Sequence, residues 1–356
     1  MKIALITDQH FGIKSDSTIF LDYQKKFYDS VFFPYLKKNN ITEVIDLGDT
    51  FDRRKYINYN TLANVKDFYF NKLEEASINL HVIVGNHSTF FRNHNNINSP
   101  DLLLCEYLNI TNYSNPQHVT FDGTKILIMP WINQSNFEEC NTVMADSDSQ
   151  IMFGHFELSG ESLKRNFTFN DGISLGQMKK FEHVFSGHYH HKITKHNFKY
   201  LGTPYQLGWD DVDSEKGFYV FDTNTRDITF IKNPLKIYKK VVWEDDGTYD
   251  VKKIVDDTIN NAEAYKEKYI KVVIRRKDNP YILDRFIEAI EKCSPHNVIT
   301  EECGISINNT EEGIEEIEDT LTSITKYVEA LNLNQKEKVL YCMRELHTEA
   351  KNLEEL

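Results

Sequence analysis

Lys2-Ile-Ala-Leu-Ile-Thr-Asp8-Gln-His10-Phe-Gly12 and Glu43-Val-Ile-Asp46-Leu-Gly-Asp49-Thr-Phe-Asp52 follow one plan. Each is an apolar run of strand length that stops at carboxylates and a glycine, residue types that form turns. The plan recurs three times. Leu80–Val84 leads into Gly85-Asn86-His87, Ile151–Phe153 into Gly154-His155, and His183–Phe185 into Gly187-His188-Tyr-His190. Helices are predicted over residues 20–38, 61–76, 99–107 and 174–182, with a further strand at Lys125–Met129 and short strands near 200–201, 217–221 and 228–231. This alternation predicts a layered α/β domain over residues 1–232 with its polar motifs at strand C-termini, where such sheets bind ligands.

A lone Asp-x-His or Gly-Asp is an ordinary turn, and a lone histidine is usually structural. Five strand ends in series, each offering a carboxylate, amide oxygen or imidazole, are not explained by turn formation. In an extended segment, residues i and i+2 point the same way, so Asp8 and His10 can share one ion. The metal-ligand set read this way is Asp8, His10, Asp49, Asn86, His155, His188 and His190. Its mixture of hard oxygen and imidazole suits Mn²⁺ better than Mg²⁺, which prefers more oxygen and water.

Beyond Asn233-Pro234 a β-α-β-α-β pattern predicts a small α/β cap over 233–303: Lys236–Trp243, a helix at 249–261, Tyr269–Arg275, a helix at 280–292 and Asn297–Thr300. An acidic linker (304–311) leads to residues 312–356, where apolar residues recur in alternating steps of three and four. Ile317, Leu321, Ile324 and Val328 lie on one such seam, Met343 and Leu346 on a second, which predicts a helical hairpin suited to a coiled-coil partner. The net charge of −13 weighs against nucleic acid, but 12 of the acidic and only 5 of the basic residues fall in 311–356. Two bound divalent cations would also reverse the local sign at the site. Basic residues instead gather near the motifs: Arg53, Arg54 and Lys55, Arg92, Lys164 and Arg165, Lys192, and Arg275 to Lys277. Such residues position a phosphate backbone without reading its sequence. Five scattered cysteines without C-x-x-C spacing argue against a disulfide framework, and no apolar run reaches membrane-spanning length. No signal peptide is read at the start, so a cytoplasmic protein is expected, in the host cytoplasm if viral. No P-loop is present, so any ATP dependence must come from a partner.

The series Asp8-x-His10-Phe-Gly, Gly48-Asp49-x-Phe-Asp52, Gly85-Asn86-His87, Gly154-His155-Phe-Glu and Gly187-His188-Tyr-His190 resembles the calcineurin-like metallophosphoesterases. In detail it is similar to their SbcD-type DNA-repair nucleases. Pro130-Trp131 and Leu201-Gly-Thr-Pro-Tyr205 bring it nearest the T-even-type phage members of that branch. The resemblance implies a β-sandwich flanked by helices and two Mn²⁺ ions bridged by Asp49. Asp8, His10 and His190 would complete one ion's shell, and Asn86, His155 and His188 the other's. It further implies His87 as general acid oriented by Asp52, and exonuclease (3′→5′) and endonuclease action on DNA ends and hairpins. A homodimer joined to an SMC-like, SbcC-type coiled-coil ATPase in a two-plus-two complex would follow. The same metals would also serve a phosphatase or small-molecule phosphodiesterase. Ser88 departs from the family, which usually has an acidic residue after the Gly-Asn-His histidine.

Overall fold

The computed structural model describes residues 1–158, 173–246, 248–302 and 339. The chain divides into a compact unit, Met1–Gly304, and a second unit, Ile305–Leu356. The expected helical hairpin, with Ile317, Leu321, Ile324, Val328, Met343 and Leu346, lies outside the described residues, as do Lys164 and Arg165.

Twelve strands form two six-stranded sheets. They are β1 (Lys2–Ile6), β2 (Glu43–Asp46), β3 (Asn79–Ile83), β4 (Ile110–Tyr113), β5 (Gln117–Phe121), β6 (Thr124–Met129), β7 (Ile151–His155), β8 (His183–Gly187), β9 (Ile193–Lys195), β10 (Phe198–Tyr200), β11 (Gly217–Asp222) and β12 (Ile228–Lys232). The first sheet runs β12-β11-β1-β2-β3-β4 and the second β5-β6-β7-β8-β10-β9. Strands β1 to β4 are parallel, as are β6, β7, β8 and β10.

Strand periodicity explains why both faces of each sheet are apolar. In β1, Ile3 and Leu5 enter the core between the sheets with Ile126, Ile128, Phe153 and Phe185, while Ala4 and Ile6 face the helices on the other side. In β6, Leu127 and Met129 likewise turn outward onto Met144 and Phe181. A fully buried Ile or Phe contributes about 1.5–3 kcal/mol, so residues on both faces of the central strands stabilise the sandwich.

Two helices cover the first sheet, α1 (residues 18–38) and α2 (residues 59–75). Each contains one π-helical turn, Tyr28–Phe32 and Lys66–Phe70. The wider turns meet in an aromatic cluster with Tyr28 and Tyr69 ring centroids 4.6 Å apart and Phe11 packed against both. Shorter helices follow at α3 (Ser99–Leu103), α4 (Phe137–Asp146) and α5 (Leu175–Met178).

Three parallel strands, β13 (Tyr238–Asp245), β14 (Tyr269–Lys277) and β15 (Asn297–Glu302), alternate with α6 (Val251–Asn260) and α7 (Pro280–Glu291). They have their own core, in which Trp243 stacks on Phe286 at 4.7 Å over Ile270, Val272 and Ile290. Asp250 and Asn279 cap the two helix N-termini, and Pro280 at the first position of α7 has no amide to satisfy.

Candidate metal centre

The five motifs converge where the C-terminal ends of β1, β2 and β3 meet those of β7 and β8. Asp8 and His10 follow β1, Asp49 follows β2, Asn86 follows β3, His155 ends β7, and His188 and His190 follow β8. Among the described residues three groups of possible ligand atoms result, Asp8 with His10 and His190, Asp49 with His155 and His188, and, sharing His10 with the first, His10 with Asp52 and His87, each with its atoms within 4.8 Å of one another. Donors on one ion at roughly 2.1 Å bonds lie about 3–4 Å apart, so the first two of these groups each fit a small divalent cation. Donor directions agree with this. His10 Nε2 and His190 Nε2 face each other at 3.1 Å, and Asn86 Oδ1 lies 2.8 Å from His155 Nε2 and 3.0 Å from His188 Nδ1.

The local backbone differs from the expected extended arrangement. Asp8 and His10 do share a side, but both are left-handed (φ 50° and 47°), as are Asp49 (φ 56°) and His188 (φ 90°). Gln9, between the first two, turns inward and donates to Asp46 Oδ2 at 2.6 Å. Left-handed Asp and His persist only where surrounding contacts over-determine them, and they gather at functional sites. Here main-chain bonds supply those contacts: Asp8 N to Gly48 O at 2.9 Å and His10 N to Asp49 O at 3.0 Å. The glycines allow close approach. A Cβ on Gly48 (φ 108°) would meet His155 Nδ1 at 2.4 Å, and one on Gly85 would meet Asp49 Oδ1 at 2.3 Å.

A second layer of groups orients the donors. His155 Nδ1 donates to Leu47 O at 2.8 Å, which turns Nε2 toward Asp49 Oδ2, 3.3 Å away. The Asp8 carboxylate accepts from His188 N at 3.0 and 3.1 Å and from Thr7 Oγ1 at 2.9 Å. Burial opposes charge on both Asp49 and His155. Their mutual attraction prevails, holding the Asp49 carboxyl well below the usual range and lifting His155 to about 9. Burial lowers His188 and His190 to about 4, helped at His188 by the neighbouring His155 charge.

His87 stands beside the first group, its ring edge-on to His10 at 4.9 Å. Its amide donates to Asp49 Oδ1 at 2.8 Å and its Nδ1 to the main-chain carbonyl of Asp52 at 2.6 Å. Asp52 therefore orients His87 through its backbone, while its carboxylate lies 3.1 Å from His10 Nδ1. Ser88 is fully buried and its Oγ accepts from Gly85 N at 3.3 Å, closing the Gly-Asn-His turn. A cleft of about 570 Å³ opens beside His155, lined by Trp131, Asn133, Gln134, Phe137 and Glu157 among others.

The basic candidates are dispersed around this centre. Arg53 contacts Asp16 at 3.4 Å and hydrogen-bonds Tyr56. Arg54 donates to Thr89 O at 3.0 Å, Lys55 lies over the Phe90 ring, and Arg92 is exposed. Lys192 sits 3.8 Å above Phe230, and Arg275 and Arg276 pair with Glu244 and Asp278. Sequence reasoning missed the supporting residues Thr7, Gln9 and Asp46, whose roles come from tertiary contacts and leave no local pattern.

The profile of the calcineurin-like phosphoesterases matches residues 1–192, more than half of the chain, and the chain belongs to that family. It is a phosphoesterase with His/Asp clusters able to bind metal. It is similar to exonuclease subunit 1 of Enterobacteria phage T4, at 29% identity over 357 residues, 98% of this chain and 99% of that protein. A solved archaeal phosphodiesterase aligns with 65% of this chain and 100% of its own at a TM-score of 0.34 and 14% identity, too slight a likeness to build on.

Proposed function

We propose that the chain is the Mn²⁺-dependent nuclease subunit of a DNA double-strand-break processing and recombination complex. The observation that carries the reading is the pairing of two three-residue groups, with four imidazoles between them, and a fifth imidazole, His87, held beside them by a main-chain carbonyl. The near full-length likeness to a phage exonuclease subunit supports DNA as the substrate. Asp8, His10 and His190 would hold one ion, and Asn86, His155 and His188 the second, with Asp49 shared. Bound cations would supply the Lewis acidity and the activation of water that phosphodiester hydrolysis needs.

The protein's own groups do the rest. His87, fixed through Nδ1, presents Nε2 to the departing sugar oxygen and gives it a proton. The Asp49 and Asp8 carboxylates are held by backbone amides, so they need not reorganise as charge develops on the phosphate. Arg54, Arg92, Lys192 and the basic end of β14 would track the DNA backbone, with residues 233–303 capping the duplex. Residues 312–356 would take the coiled-coil base of an SMC-like ATPase. The exposed Tyr59 and Leu108 near α2 and α3 fit a homodimer surface.

Assay of the purified chain with Mn²⁺ on linear and hairpin DNA, beside a generic phosphate monoester and with a His87→Ala control, tests this reading. DNA cleavage lost in the variant is expected. Activity confined to the monoester would refute it.

A further inference from the structure

His190 sits in the loop between β8 and β9, and its main-chain carbonyl is gripped from behind. Lys216 Nζ donates to that carbonyl at 2.7 Å, and Thr203 N does so at 3.2 Å. Lys216 is 4% exposed, and its other partner is the carboxylate of Asp211, 5% exposed, at 2.5 Å. The second Asp211 oxygen accepts from Leu207 N at 2.8 Å and Gly208 N at 3.2 Å. Gln206 extends the connection: its amide donates to Asp211 O at 3.2 Å, and its side-chain oxygen accepts from Ile237 N and Tyr238 N, both at 3.0 Å. Buried polar links thus run without a break from the His190 backbone to the first residue of β13.

Lysine is almost never buried so deeply without a specific partner. Replacing a buried ion pair by apolar side chains is often neutral or stabilising, so packing alone does not call for an ammonium here. Its specific product is a fixed His190 carbonyl, and hence a fixed backbone for the His190 imidazole that faces His10.

We propose that Lys216 is a positioning residue of the metal centre, with Asp211 as its anchor and Gln206 as the tie to the root of the cap. The inference rests on His190 being a ligand. Groups behind a ligand typically change metal affinity ten- to a hundredfold when removed. Calorimetric titration of the full-length, metal-stripped chain with Mn²⁺ is therefore expected to show two sites in the wild type and one in His190→Ala. Lys216→Met leaves the Asp211 carboxylate buried without its cation and should lower the unfolding temperature. In the folded variant it should weaken that same site ten- to a hundredfold while the other site keeps its affinity, and Lys216→Arg should recover most of the loss. A folded Lys216→Met variant that binds both ions as the wild type does overturns the proposal alone. A wild type that binds no Mn²⁺ overturns the metal reading, and the proposal with it. If Lys216→Met does not fold, Asp211→Asn carries the test, since its amide oxygen keeps the Leu207 and Gly208 acceptor while releasing the ammonium. Weakened binding at the His190 site then supports the proposal, and unchanged binding overturns it.

Discussion

Asp49 and His155 hold a proton between them before any cation arrives. His155, buried yet lifted from 6.5 to about 9 by Asp49, is protonated at neutral pH, and a metal must displace that proton. Mn²⁺ affinity is accordingly expected to rise about tenfold per pH unit between pH 7 and 9, with proton release measurable by titration in buffers of different ionisation enthalpy. The stability windows follow with definite signs. A raised folded value stabilises fully below 6.5 and the gain fades through about 9, so the chelated chain should lose melting temperature over that range. His188 and His190, lowered to about 4, act oppositely: below about 6.5 the unfolded chain takes up protons that the folded one refuses, and acid destabilises. Melting curves in EDTA at pH 5, 6.5 and 9 check both, with the middle value highest. For His87→Ala, kcat should fall roughly 10²–10⁴-fold with Mn²⁺ binding retained, read from single-turnover cleavage beside calorimetry. At this scale the residues that converge were legible in the sequence, because each follows an apolar run. It did not reveal the left-handed conformations of Asp8, His10, Asp49 and His188, since those depend on bonds to segments far away in the chain.

Strands and helices were legible where one face is uniformly apolar, as in β1, β2, β3, β6 and the whole β-α-β-α-β unit, and less so elsewhere. β5 is mostly exposed at its sheet edge and β9 has only three residues, so neither carries an apolar period. α4 buries only Cys140 and Met144, one turn apart, too little to announce a helix. The π turns of α1 and α2 were invisible for another reason: they answer to each other's aromatic rings, a tertiary matter. Where elements meet, the tolerance for added volume is small. Gly85→Ala, whose new carbon would sit 2.3 Å from Asp49 Oδ1, should cost the His155 site most of its Mn²⁺ affinity, and the Asp49 shift should be visible in a crystal structure. Asn279→Ala, which strips the cap from α7, should destabilise by about 1 kcal/mol without touching metal binding, as chemical denaturation with and without Mn²⁺ would report.

The chain divides into two units. Residues 1–304 form one compact unit and contain every candidate metal ligand, so under the proposed function a chain ending at 304 should keep Mn²⁺-dependent cleavage while losing co-purification with the proposed ATPase partner. Association that survives the truncation would move the partner surface onto the first unit. The order of strands in the first sheet has a consequence in time as well as space. β1 lies between β2 and β11, and its register joins Lys2 to Asp222. A ribosome must therefore release the chain beyond residue 222 before its first strand gains its second neighbour. The candidate ligand set is likewise incomplete until His190 emerges. A nascent chain cannot assemble the intact candidate centre until these segments have emerged and distant pairings, which form slowly, have closed. The first strand translated is among the last to be enclosed.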